Sequence, residues 1–247
     1  MKVKYIVIAL LAFLVVKQSS AQDEPAERTE RVERVNALLA FQVGIPFKEM
    51  QSAIRNNMGN MGFGGAFMFL TNPFSWSRNE KNSPLRIGGE IGYTYYGRFL
   101  SDVNIGGYRG SYKTSYGILQ LNALVRLIPS MPSKVRPFFD VLIGGNFYLS
   151  STKEDLSAIE SAFGLEGFDI DSYASAGFNK GIAVGCNFGK KKFRDDALFT
   201  LRISYNRGSD IKYVVRNSLV YNSSNGLQYS VGRAPVKYLM VQAGIGL

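Results

Sequence analysis

Glu90 and Asp140 are two carboxylate residues within alternating segments of the chain, and as a pair they could support general acid–base chemistry. Such chemistry needs one carboxyl group with a raised pKa that donates a proton while the other stays ionised. The neighbouring segments are rich in arginine, including Arg86, Arg126 and Arg202. Because a nearby positive charge favours the ionised carboxylate, we expect both acids to belong to a network of charges rather than to a catalytic pair.

Other catalytic and metal-binding arrangements are restricted by composition. The chain of 247 residues has no histidine and one cysteine, Cys186, which excludes a histidine-based triad, a histidine/cysteine zinc site and an internal disulfide. Asp169 and Asp171 form an Asp-x-Asp pair, but two carboxylates are not a full calcium ligand set. We therefore expect no catalytic residue, no cofactor and no metal site.

Alternating segments must position these side chains. The chain has 26 glycines, 14 tyrosines and 17 phenylalanines, an excess that suits many strands. Ile87 and Ile91 alternate with Arg86 and Glu90, which places the two sets on opposite faces of a strand. Eight such runs occur, over residues 39–47, 63–69, 85–95, 119–127, 139–147, 182–188, 199–205 and 239–247.

The two faces of these runs decide the kind of barrel. One face is apolar and almost uncharged, and the other is built from glycine, amides and charges. Polar-in and apolar-out is the pattern of membrane barrels, which must close because lipid cannot satisfy an open sheet edge. The pattern predicts an all-β protein, a closed antiparallel eight-stranded transmembrane β-barrel; a soluble ligand-binding β-barrel, with the apolar face inside, is the alternative.

This orientation predicts both surfaces of the barrel. Eight strands leave an interior only wide enough for side chains, which argues against a porin. If the connection 129–134 is tight, Arg126 lies beside Phe138 and Asp140. The side chains expected to face lipid are Ile91, Leu121, Ile143, Val184 and Ile203. The polar side chains expected in the lumen are Arg86, Glu90, Arg98, Gln120, Asn122, Arg126, Asp140, Asn146, Arg202 and Gln242.

The N-terminus has the pattern of a signal peptide. Lys2 and Lys4 precede an apolar run, and small residues end at Ala21. The predicted organisation is a signal peptide over 1–21, a polar periplasmic segment over 22–37 and the barrel over 38–247. Export would place the protein in the outer membrane.

The connections predict an outer rim of loops. Those expected to face outward are 48–60, 100–112, 151–176 and 209–236; 72–84, 129–134 and 190–196 face the periplasm. The third outer loop is acidic and the fourth basic, so we expect Asp169 or Asp171 to meet Arg216 or Arg233 in a cap over the barrel mouth. Residues 222–226 resemble a hairpin turn, which we expect to extend the last two strands. At a cell surface the basic loop favours lipopolysaccharide or the acidic loop over nucleic acid.

The chain resembles the small outer-membrane barrels of Bacteroidota, the PorT-like or OmpA/OmpX-like family. The resemblance rests on Ser20-Ala21-Gln22, on the glycine-spaced strand from Ile87 to Tyr93, and on the alternating end from Val241 to Leu247, although the family usually ends on an aromatic residue. It implies a non-enzymatic structural or accessory subunit of a secretion or assembly complex. The implied partners are outer-membrane lipid, other subunits of such a complex and, during insertion, the barrel-assembly machinery.

A lipid-modifying outer-membrane enzyme is the competing function. The enzymes of similar architecture rely largely on histidine to activate a nucleophile or water, and this chain has none. We therefore expect that the protein is not an enzyme.

Overall fold

The computed structural model describes most of the predicted barrel. The described residues are 35–54, 61–73, 84–105, 108–129, 133–155, 169–189, 198–215, 218, 220–222 and 226–247. The predicted signal peptide and all but the end of the segment 22–37 lie outside them. The first strand begins at Val35, slightly before the predicted start of the barrel.

Eight strands close into one antiparallel barrel, which confirms the predicted fold class. The strands are β1 Val35–Pro46, β2 Gly62–Thr71, β3 Leu85–Ile105, β4 Tyr108–Leu127, β5 Val135–Asp155, β6 Asp169–Phe188, β7 Phe199–Val214 and β10 Val231–Gly246. The strands follow one another around the barrel in the order β1, β10, β7, β6, β5, β4, β3 and β2, and β2 pairs with β1 to close it.

Three short elements lie outside the barrel order. The helix α1 covers Lys48–Ile54 between β1 and β2. The strands β8, Val220–Asn222, and β9, Gly226–Gln228, pair with each other. The predicted hairpin around 222–226 is therefore present, but it forms its own two-stranded sheet rather than an extension of the barrel strands.

The outer wall of the barrel is apolar, and the polar side chains of the sheet are buried inside, together with apolar ones. The five side chains predicted to face lipid, Ile91, Leu121, Ile143, Val184 and Ile203, are 40–58% exposed. Polar side chains of the same sheet, Gln42 and Asn146 among them, are buried. A soluble barrel would have the reverse arrangement, so that alternative is wrong. An apolar wall around buried polar side chains is that of a transmembrane β-barrel. Among the described residues, no helix has the length and apolarity to cross a membrane.

The strands extend farther at one end of the barrel than at the other. We call the end with the connections 72–84, 128–134 and 189–198 the turn end, and the opposite end the hairpin end. At the hairpin end β3 and β4 stay paired up to Ile105 and Tyr108, so the predicted loop 100–112 is mostly strand. Strand also replaces much of the predicted loops 151–176 and 209–236. These extensions lack an uninterrupted apolar face, which is why alternation did not reveal them.

A β-bulge overturns one predicted orientation. The register of β3 against β4 shifts between Tyr95 and Gly97, and Gly97 has a φ of 95°. A positive φ suits glycine because it has no Cβ atom. Tyr96 keeps the inward parity of Glu90 and is buried, but the extra residue reverses the alternation beyond it: Arg98 is exposed, and Phe99 packs against buried residues. Arg98 therefore does not point into the lumen.

Candidate functional site: the polar network inside the barrel

Strand register brings the predicted lumen residues together. Neighbouring antiparallel strands place directly paired residues on the same face. The relevant pairs are Arg126 with Asp140, Glu90 with Asn122, and Arg202 with Gln242. All six side chains are buried, at 0–6% exposure.

Arg126 and Asp140 form a two-bonded ion pair. Arg126 Nε donates to Asp140 Oδ1 at 2.7 Å, and Nη2 donates to Oδ2 at 2.9 Å. The guanidinium carbon lies 3.7 Å from the centre of the Phe138 ring, and Nη2 also reaches Met68 Sδ at 3.3 Å. This planar fork against a carboxylate and an aromatic face suits arginine better than lysine.

Arg202 connects the two candidate acids. Its Nη1 donates to both Glu90 oxygens at 3.0 Å, while its Nε lies 2.8 Å from Asp140 Oδ2 in an ion pair. This contact is an ion pair, and Arg202 Nε has no hydrogen-bond partner among the described residues. Glu90 and Asp140 therefore share one cation, and Arg126 supplies a second to Asp140.

Amide side chains extend the network across the closure of the barrel. Gln242 Nε2 donates to Glu90 Oε1 at 2.6 Å and to Gln42 Oε1 at 3.1 Å. Gln42 Nε2 in turn donates to Thr94 Oγ1 at 2.8 Å. Gln242 Oε1 accepts from Arg202 Nη1 at 2.7 Å. This series of hydrogen bonds links β7, β10, β1 and β3 through their side chains, in addition to the backbone pairing of the sheet.

Asn122 lies in a separate group of amides. Asn179 Nδ2 donates to Asn122 Oδ1 at 2.9 Å and lies 3.5 Å from Asn206 Oδ1. Asn206 Nδ2 donates to Ser204 Oγ at 2.9 Å. These neutral side chains fill the lumen beside the charged group.

Arg86 is buried near the turn end. Its Nη1 donates to the carbonyl oxygen of Leu85 at 2.9 Å, and the residue pairs with Arg126 across β3 and β4. It lies four positions before Glu90 along β3, on the same face of the strand. Arg86 is therefore inside the barrel, at the turn-end edge of the charged group.

The lumen toward the hairpin end is aromatic. Tyr96, Tyr116, Tyr148 and Tyr238 are fully or almost fully buried, and they form one cluster with apolar neighbours. Met50 of α1 is also fully buried in this cluster. The helix therefore packs onto the luminal tyrosines, a role that the prediction of an outer loop over 48–60 did not include.

Several contributors to the lumen were not predicted from the sequence. Gln42 lies on the polar face of its alternating run, so the parity signal was present although the residue was not singled out. Thr94 and Asn179 follow the same parity in β3 and β6. Tyr96 is the next residue of this parity after Thr94 in β3, whereas Met50 lies outside every strand and gave no such signal.

The predicted contacts of the outer loops are only partly covered by the structure. Arg216 lies outside the described residues. Asp169 and Asp171 lie in β6, paired with Lys153 and Thr152, but their side chains lie outside what the structure describes. Arg233 lies in β10, exposed and paired with Lys212, and is therefore a strand residue rather than a loop residue.

In this arrangement the two buried acids and the two arginines bind one another. Each candidate acid is hydrogen-bonded to arginine, and neither is exposed to solvent. No group of three or more acidic or cysteine side chains that could hold a metal ion occurs in the described part of the chain. Cys186 is half-buried on the outward face of β6.

Comparisons with known proteins returned structures only. No protein-family model and no curated protein matches the chain. Ail, the attachment invasion locus protein of Yersinia pestis, solved with the heparin analogue sucrose octasulfate, is 11% identical with a TM-score of 0.45, covering 88% of this chain and 100% of Ail.

Two further solved structures are similar at the same level. Neisserial surface protein A is 12% identical, with a TM-score of 0.38 over 86% of this chain and 94% of that one. A major outer membrane protein from Thermus thermophilus is 14% identical, with a TM-score of 0.36 over 85% of this chain and 99% of that one. The barrel assignment rests on the strand pairing of this chain itself.

Proposed function

We propose that this protein is a non-enzymatic outer-membrane barrel that serves as a structural or accessory subunit of a secretion or assembly complex. The observation that carries the proposal is that Arg202 is hydrogen-bonded to Glu90 and ion-paired with Asp140. Carboxylates held this way are suited to neutralising buried arginine and poorly suited to donating a proton. The lumen is then a packed interior, and function falls to the outside of the barrel.

The closure of the lumen supports the same proposal. The charged group and a cluster of buried apolar side chains that includes Leu124 and Leu142 fill the turn-end half, and the tyrosines with Met50 fill the hairpin-end half. A barrel of eight strands has no further width for a channel. We expect the purified monomer to give no stable large conductance in planar bilayers; reproducible porin-scale channels would contradict the filled lumen.

The accessory role and the outer-membrane location follow from the resemblance to the PorT-like barrels and from the predicted signal peptide. The lipid and lipopolysaccharide of that membrane are the proposed surroundings, and other subunits are the proposed partners. A histidine-free lumen with both acids ion-paired offers no support for the lipid-modifying alternative.

Gentle extraction and capture test the accessory role. The tagged chain, expressed in its own host, is cross-linked in the membrane, extracted in mild detergent and analysed by mass spectrometry. The control is an equally abundant unrelated barrel from the same membrane. Recovery of the same outer-membrane partners with this chain and not with the control supports the proposal, whereas an identical set of proteins from both contradicts it.

A further inference from the structure

Three basic residues form a row on the outside of the barrel. Lys180 of β6 pairs with Arg207 of β7, and Arg207 pairs with Lys237 of β10. Lys180 and Arg207 are exposed and Lys237 is half-buried, and each belongs to the outward parity of its strand. We call these three residues the basic row.

The basic row borders the apolar wall. On each strand, the outward residue two positions nearer the turn end is a large apolar or aromatic side chain, namely Ile182, Tyr205 and Leu239. Ile182 is 52% exposed and Tyr205 is 42% exposed. On β7 and β10 the row lies at the hairpin-end edge of these apolar side chains, whereas on β6 the exposed Phe178 follows Lys180 toward the hairpin end. Long basic side chains can extend from such an apolar surface to lipid headgroups.

The three side chains of the basic row place like charges next to one another. Within the described part of the chain, none of the three residues forms an ion pair. Like charges directly opposite each other on neighbouring strands destabilise a sheet. An arrangement that costs stability in the isolated barrel is explained if an anion from outside the chain lies among the three side chains.

A second basic pair continues the surface away from the membrane wall. Lys212 of β7 pairs with Arg233 of β10, and both are exposed. Asp210 is the exposed acid between this pair and the basic row, where it pairs with Pro235. The outward surface of β6, β7 and β10 thus combines five cations with one described acid next to exposed apolar side chains.

From this juxtaposition we infer that the basic row is a binding site for the phosphate groups of a lipid in the leaflet at the hairpin end. The acyl chains would lie against Ile182, Tyr205 and Leu239, and the headgroup phosphate would contact Lys180, Arg207 and Lys237. Arginine and lysine are the side chains that bind phosphate best in proteins. Lys212 and Arg233 would meet further anionic groups of a large headgroup. The inference rests on the barrel and its exposed residues, not on the accessory role proposed above.

The test compares lipid binding by two matched variants. The intact barrel in neutral detergent is titrated with bis-phosphorylated lipid A or with phosphatidylcholine, and binding is followed by native mass spectrometry. The test variant is Lys180→Gln, Arg207→Gln, Lys237→Gln. The control variant, Arg98→Gln, Lys113→Gln, Lys134→Gln, likewise removes one arginine and two lysines, from β3, β4 and the residue before β5, and none of these three is paired with another of them.

We expect wild type and the control variant to prefer lipid A, and the test variant to bind it about 10- to 100-fold more weakly, since each basic residue near an anionic lipid surface contributes severalfold. The charge-preserving variant Lys180→Arg, Arg207→Lys, Lys237→Arg should retain most of the binding. Equal loss in the test and control variants, or no loss in either, would overturn the site.

Two further readouts distinguish a lipid site from a soluble-anion site and from a purely structural role of the row. Inorganic phosphate in excess should fail to displace lipid A; full displacement would assign the row to a soluble anion and overturn the lipid proposal. In neutral detergent the test variant should resist urea as well as wild type or better, because it removes like-charge repulsion. A test variant that is both less stable and unable to bind would show that the row has a structural role instead.

Discussion

The two halves of the lumen are filled in different ways. Toward the turn end, Arg126, Arg202, Glu90 and Asp140 occupy the interior, and each charge is matched by an opposite one. Toward the hairpin end, Tyr96, Tyr148 and their neighbours fill it with aromatic rings. The charged half depends on specific partners, whereas the aromatic half depends mainly on volume.

This difference determines which substitutions each half of the lumen tolerates. A buried ion pair contributes little net stability over a well-packed apolar pair, but removing one partner leaves a costly unpaired charge. A buried aromatic ring stabilises through area and packing, so its loss leaves a cavity. Hydroxyl groups matter less in the aromatic half, where the Tyr96 and Tyr148 hydroxyls have no hydrogen-bond partner among the described residues.

The largest effect is expected in the charged half, from Arg202→Leu. The change leaves Glu90 buried without its cation, and should lower the free energy of unfolding by about 3–5 kcal/mol, measured by urea titration in detergent. The double variant Arg202→Leu, Glu90→Leu should recover part of the loss, because the two charges disappear together. A double variant less stable than the single one would mean that charge matching does not govern this half.

Tyr148→Ala should show that the aromatic half depends on volume. Tyr148 is fully buried, so truncation should cost about 3–5 kcal/mol in the same titration, by analogy with other large aromatic residues. Tyr148→Phe is the matched control and should stay within about 1 kcal/mol of wild type, because the hydroxyl is unpaired. A loss in Tyr148→Phe as large as in Tyr148→Ala would mean that the hydroxyl, and not the ring, is what this half needs.

The apolar wall encloses both halves of the lumen, and its dependence on depth in the membrane can be tested with arginine on the outside of β5. Val141→Arg places a charge in the apolar wall, directly opposite Ile182 and on the turn-end side of the basic row, and should cost about 2–4 kcal/mol when folding is measured into lipid vesicles. Leu149→Arg, exposed on the same face nearer the hairpin end, should cost about 0–1 kcal/mol. If the two variants are equally impaired, depth in the membrane does not decide the cost.

The smallest effect is expected at the bulge that precedes the aromatic half. Gly97→Ala forces a side chain into a φ of 95° and should cost about 1–2 kcal/mol in urea titration. Gly65→Ala is the control, because its added Cβ would meet only the carbonyl oxygen of Ala40, at 3.6 Å. Equal stability of both variants would show that the bulge is not held by glycine.

The eight strands and their two faces could be predicted from the sequence. Alternation is a local property, since each residue's face follows from its parity within a strand. The short connection between β4 and β5 likewise leads to the pairing of Arg126 with Asp140. Local order along one strand or one hairpin was sufficient for these features.

Other parts of the site depended on contacts that no local pattern contains. Arg202 lies on β7, and it reaches Glu90 on β3 and Asp140 on β5. None of these strands is a neighbour of another in the barrel, so their meeting depends on closure and on the relative shift of all eight strands. The reversal at Gly97 and the packing of Met50 onto the tyrosines are similar cases. Parity along a strand determines which side chains enter the lumen, but only the closed barrel determines which of them meet across it, because that distance is set by the geometry of the whole sheet.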